Sequence, residues 1–221
     1  MKSSIAVRIE VLVLYAVLFL SGLIRLPGVS PEVSQGVSPG FSIAATLARV
    51  LLYNIPSLIL IWYLLLRVKS LKDWGIGLPN KNDLLAAVIS LPALLFIGLT
   101  VAFTASQLNG TPEAMRLYTP YSVLGWIVLA ISCLGTGYLE ESFFRFYILS
   151  RREELGLSNT SALIFSTIIF AICHIHGGPW AFLNSFLAGI FLCFIFLRYR
   201  SLHGIAIAHG LYNLAVFINA S

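Results

Sequence analysis

The sequence predicts an all-α protein, a polytopic transmembrane helical bundle of about seven spans, with six to eight as the bounds. Three observations predict it. The chain is 58% hydrophobic and only 10% charged, and its mean hydropathy is +0.91, values that belong to a protein whose solvent is largely lipid. Apolar runs of membrane-crossing length recur along the whole chain, separated by short polar connectors. There is no fixed-period repeat, no low-complexity tract and no long linker, so residues 1–221 read as a single integral membrane domain. The net charge of +5 sits in short clusters between apolar runs, as in loops facing an anionic leaflet; it is no nucleic-acid footprint. Cys133, Cys173 and Cys193 all lie in apolar runs and read as buried thiols rather than a disulfide framework.

Ile9 to Leu26 is the first apolar run and, with comparable runs following it, reads as a retained span rather than a signal peptide. Pro27 to Gly40 is a Pro/Gly/Ser connector. Phe41 to Leu66 is the second span, with a kink expected at Pro56. Arg67 to Asn82 is a basic loop, and its WGIGLP stretch (Trp74 to Pro79) suits the membrane interface. Leu84 to Ala105 is the third span and Gln107 to Pro120 a loop. Tyr121 to Leu149 is the fourth, too long for a ~30 Å hydrocarbon core without tilting, breaking or overhanging. A bend is expected at Gly135 and Gly137, and Arg151 to Glu154 should end the run in water. Ser161 to His174, Trp180 to Leu197 and Ile205 to Ile218 complete the set. Eleven Lys and Arg fall on the side of the N-terminus and three on the other, which puts the N-terminus in the cytoplasm.

Chemistry concentrates in GTGYLEESFFRFYILS, Gly135 to Ser150. One charge in hydrocarbon costs at least ~2.5 kcal/mol on insertion scales, and this run holds three. Glu141 and Arg145 are four apart, share a helix face and neutralise each other. Glu140 is rotated by about 100° at helical pitch and is left free to work. His174 ends FAICH, and His209 and Asn213 lie four apart in HGLYN. Counting ~1.5 Å per residue, Glu140, His174 and His209 all fall well inside the bilayer, so one polar cavity is expected to hold them. Two mechanisms suit the set. In one, Glu140 and His174 polarise a water while His209 and Asn213 stabilise an oxyanion. In the other, Glu140, His174 and His209 bind a divalent metal such as zinc. With no HExxH and no carboxylate evident beside either histidine, the metal-free version is favoured and no cofactor is expected.

Plainer readings exist for each residue alone. The glutamates could be a solvated helix end, either histidine could bond a backbone carbonyl, and Asn213 could be helix–helix glue. His176 and His203 sit in loop-like contexts, and Cys173 diverges from its neighbour His174 on a helix. The combination favours function.

That combination resembles the CAAX protease and bacteriocin-processing (Abi) family of intramembrane proteases, whose motifs are EExxxR, FxxxH and HxxxN. They stand here as Glu140 to Arg145, Phe170 to His174 and His209 to Asn213, within a motif-bearing half of about residues 121–218. Phe146 departs from the Gly that many members carry after the motif Arg. The resemblance implies peptide-bond hydrolysis of a membrane-associated peptide or protein tail, whether CAAX-type, leader or sorting signal. It implies water activation by Glu140 and His174, an oxyanion site at His209 and Asn213, and structural roles for Glu141 and Arg145. A prokaryotic cytoplasmic membrane is the expected setting. The competing classes are a non-catalytic immunity or scaffold protein and a proton-coupled transporter. The transporter requires inverted repeats that the sequence does not show.

Overall fold

A computed structural model describes residues 4–20, 40–75, 77–109 and 119–219. Lys2, Arg25 and Arg116, the connector from Pro27, and most of the Gln107–Pro120 loop lie outside them. Every regular element among the described residues is helical, and there are seven long helices. They are α1 (Ser4–Leu18), α2 (Ile43–Leu66), α3 (Lys81–Asn109), α4 (Val123–Ser150), α5 (Asn159–Ile172), α6 (Gly178–Tyr199) and α7 (Leu202–Asn219). Five of these, all but α1 and α5, are long and apolar enough to cross a membrane. Helix starts are marked by side chains that take up otherwise orphaned backbone N–H groups. Ser42 accepts from Ala45, Ser122 from Gly125 and Ser158 from Ser161.

Large apolar side chains such as Leu52, Phe96, Phe103 and Phe194 face outward, where a soluble protein would place charge; in a bilayer they meet lipid. The bundle is therefore held by close backbone approach and by polar contacts more than by exclusion of water. Helix α7 lies between α3 and α4, α6 packs on α5 and α3, and α2 packs on α4. The α4–α7 contact depends on glycine. A Cβ at Gly137 would stand 2.6 Å from the Ala206 carbonyl oxygen, and one at Gly210 would stand 2.8 Å from Leu134 Cα. Helical bonding runs unbroken through Gly135 and Gly137. The expected bend is thus replaced by tight packing, and the departure from α geometry comes later, as a π-helical segment from Glu141 to Tyr147.

Pro56 is accommodated in a related way. A π-helical stretch, Val50–Asn54, precedes it, and the proline occupies the first turn of the resumed α-helix. There its missing N–H leaves little unsatisfied. Trp74 does not float at an interface. It is buried, donates its indole N–H to the Leu65 carbonyl at 3.0 Å and meets Phe146 edge-on.

The end of α4 is also drier than its RREE sequence suggests. Arg151 is buried, with ion pairs to Glu10 of α1 at 2.6 Å and to Glu154 at 2.9 Å. Burial alone would lower its pKa, but hydrogen bonds to Glu154 and Glu10 outweigh burial and hold the guanidinium above its ordinary value. Tyr147 joins the same cluster through Glu10. On the same helix α1, Val7, Val11, Leu14 and Leu18 are buried against the core, and Tyr15 donates to the Ile169 carbonyl.

Overpacking a filled contact costs about 1–3 kcal/mol. Gly137→Ala is expected to lower the melting temperature of detergent-solubilised protein, while Gly40→Ala, where an added Cβ meets nothing within 4 Å, leaves it unchanged.

Candidate active site

Glu140 closes the α-helical part of α4 and Glu141 opens its π-helical segment. Their surroundings differ sharply. Glu141 is fully buried, with Arg145 Nη1 3.2 Å from its Oε1 and His209 Nδ1 2.7 Å from the same oxygen. The i,i+4 pair expected from the sequence is therefore present, but its carboxylate has a second partner on α7. Glu140 faces a cavity instead. Its Oε2 has no hydrogen-bond partner among the described residues and lies 3.5 Å from His209 Nε2, too far for a good direct bond.

His209 thus has a carboxylate toward each ring nitrogen. Glu141 accepts from Nδ1–H and fixes the ring's orientation. No carboxylate is evident beside either histidine in the sequence; Glu141 is one, reaching His209 from 68 positions away. Orienting the imidazole is therefore the work of Glu141, not of Asn213. Asn213 lines the cavity and makes no hydrogen bond among the described residues.

His174 lies just beyond the end of α5 rather than on a span. With 14 residues, α5 is about 21 Å long at ~1.5 Å per residue, short of a ~30 Å core. The chain turns at depth, through His174 and a 3-10 turn from Ile175 to Gly177. Non-helical backbone at such depth is tolerated where it borders a water-filled cavity. His174 Nδ1 bonds the Phe170 carbonyl at 3.0 Å, one of the carbonyls left free by the helix end. That bond places the proton on Nδ1 and leaves Nε2 as the basic nitrogen. The plain reading, a histidine bonded to backbone, and the functional one hold together in this residue.

Phe170 is the residue that sequence reasoning passed over. Its ring centroid lies 4.1 Å from Arg145 Cζ, 4.8 Å from the His174 ring and 5.9 Å from the His209 ring. The aromatic face gives Arg145 an electrostatic partner, and the same ring contacts both imidazoles. Its place at the first position of FxxxH was the available signal.

A cavity of about 1140 Å³ is lined by Glu140, His174, His209 and Asn213, together with Tyr53, Thr136, Cys173, His176 and others. All four proposed catalytic residues therefore share one space, while Glu141 and Arg145 stand behind it. His176, set aside on sequence grounds, borders the cavity. His203 does not; it sits in the first turn of α7 and bridges Tyr138 to the Gly77 carbonyl. Phe146 is turned away, packed against Trp62, Trp74 and Phe196, so the departure from Gly at that position fills the core and leaves the cavity alone. Cys173 also borders the cavity and donates to the Ile169 carbonyl. Among the described residues no three His, Cys, Asp or Glu side chains come together to hold a metal ion. The trio Glu140, His174 and His209 does not form such a set in this geometry.

Comparison with known families finds one similarity. The family model "Type II CAAX prenyl endopeptidase Rce1-like" matches residues 120–215. This segment is similar to the CAAX endopeptidases that the model describes. It runs from the loop before α4 into α7 and carries every residue of the candidate site. No curated protein and no solved structure matched the chain. Five helices long and apolar enough to cross a membrane make the chain an integral membrane protein, and its matched segment is similar to a protease family.

Removing one partner of a buried pair leaves an uncompensated charge, at about 3–5 kcal/mol. Arg145→Ala is expected to cut the yield of folded protein more than the activity of each folded molecule. Phe170→Ala, losing about 3–5 kcal/mol of packing, is expected to do the same. Size-exclusion yield against cleavage rate per folded molecule reads both. Normal yield with no activity for Arg145→Ala would move that residue into the catalytic set.

Proposed function

We propose that the protein is an intramembrane endopeptidase that hydrolyses a peptide bond near the end of a membrane-associated substrate, using water activated by Glu140 and His174. One observation carries the reading. The Glu140 carboxylate lines the cavity, lies 3.5 Å from His209 Nε2 and accepts no hydrogen bond from any described residue, in a segment similar to the CAAX endopeptidase model. Such a carboxylate is a ready acceptor for a water proton.

In this reading water binds between Glu140 and the basic Nε2 of His174. As its oxygen bonds to the scissile carbonyl carbon, its proton passes to Glu140. The carbonyl oxygen becomes an oxyanion, and His209 Nε2–H and the Asn213 amide donate to it. With a carboxylate toward each of its nitrogens, the doubly protonated His209 ring satisfies Glu141 from Nδ1–H and offers Nε2–H to the cavity. The C–N bond then breaks, the amine leaves with the proton from Glu140, and the acyl product departs as a carboxylate once its remaining O–H proton has passed to His174 Nε2.

The test is incubation of purified protein in lipid nanodiscs with a prenyl-cysteine peptide of CAAX pattern, followed by mass spectrometry. Wild type is expected to cleave it, and His174→Ala to lose about 10²–10⁴ in rate, the usual worth of a positioned acid–base group. Activity is expected to persist in strong chelators. Chelator inactivation reversed by one divalent ion would instead assign these side chains to a metal.

A further inference from the structure

Arg49 takes no part in the chemistry above, yet it lines the same cavity. Among the described residues that line it, Arg49 is the one Lys or Arg and Glu140 the one carboxylate. Arg49 sits in the apolar helix α2 and makes no ion pair or hydrogen bond through its side chain among the described residues. A permanent cation in an apolar span, facing a cavity with no counter-ion among the described residues, calls for an anion from elsewhere.

Helix register gives its distance from the scissile site. Phe41 lies against Gly125, and Asn54 Nδ2 is 3.4 Å from Thr136 Oγ1, so α2 and α4 run parallel. Arg49 is five residues before Asn54, and Glu140 four after Thr136. At ~1.5 Å per residue that is about 13 Å along the axis, shortened by whatever the long arginine side chain spans. An extended peptide advances ~3.3–3.6 Å per residue, so three or four residues bridge the two. Ser132, Thr136 and Glu140, four apart on α4, all line the cavity and form a polar track between the ends.

From this juxtaposition we infer that Arg49 is a specificity-determining residue: it binds a carboxylate of the substrate three or four residues past the scissile bond. Resting on the endopeptidase reading, this explains how an endopeptidase in so open a cavity is confined to chain ends. The free C-terminus supplies such a carboxylate at a fixed distance, and an internal segment supplies one only where an acidic side chain falls in register.

Binding tests it apart from catalysis. Full-length protein carrying Glu140→Gln, in nanodiscs, is titrated against dye-labelled prenyl-cysteine peptides of CAAX pattern by fluorescence anisotropy. The free-acid peptide is expected to bind about tenfold more tightly than its C-terminal amide, the size of one charge-assisted hydrogen bond. Adding Arg49→Gln should erase that preference by weakening the acid peptide alone, and Arg49→Lys should keep part of it. An amide peptide ending in Glu separates the two sources: binding like the free acid means any carboxylate at that depth suffices, and binding like the plain amide means the C-terminus is read. Equal affinity for acid and amide overturns the inference, as would be found if Arg49 served lipid phosphates. That comparison needs no change at Arg49, so a misfolded variant does not rescue the idea. Preference for the acid without cleavage by wild type would remove the protease reading and leave the anchor standing.

Discussion

A single carboxylate oxygen, Glu141 Oε1, takes both Arg145 Nη1 at 3.2 Å and His209 Nδ1 at 2.7 Å. Burying a carboxylate costs several kcal/mol even after relaxation, and one partner on its own helix is a minimal answer to that cost. The second partner comes from α7, so the charge is compensated only when α4 and α7 are docked. The glycine contact between Gly137 and Gly210 brings the helices close enough for it. Because adjacent helical residues diverge, fixing Glu141 inward leaves Glu140 toward the cavity with an oxygen unpaired. The working carboxylate is thus set by its neighbour's confinement.

The second constraint is the length of α5. A helix of 14 residues cannot cross the hydrocarbon, and its early end frees the Phe170 carbonyl to hold His174. The Phe170 ring, near that same end, touches Arg145 and the two imidazoles. The turn that follows has backbone groups no helix satisfies, and the cavity beside it gives them access to water. The polar turn and the cavity therefore require each other.

Much of this is written locally in the chain. Apolar runs show where helices lie because lipid and core make the same demand on composition, and four-residue spacing shows the Glu141–Arg145 pair outright. Spacing also separates Glu140 from Glu141 in role. What it does not show is long-range: the Glu141–His209 bond, the burial of Arg151 through Glu10, and the insertion of Trp74 beside Phe146 join positions far apart in sequence. Arg151 looked like a solvated helix end because charge in a polar cluster usually is one, and its partner on α1 carried no signal of its own. The π-helical segments at Val50–Asn54 and Glu141–Tyr147 likewise leave no periodic trace over so few residues. Phe170 read as one more apolar side chain in an apolar helix; only the fold shows what its ring touches.

The division of labour between the two glutamates is the claim on which the rest stands. Its most direct measurement places Glu140→Gln and Glu141→Gln side by side in one nanodisc preparation, with unfolding midpoint and cleavage per folded molecule read for each. The account predicts that Glu140→Gln keeps the midpoint and loses cleavage, whereas Glu141→Gln lowers the midpoint and keeps much of the cleavage in what remains folded. The reverse pattern, with Glu140→Gln unfolding the protein and Glu141→Gln leaving it stable but inert, would contradict it.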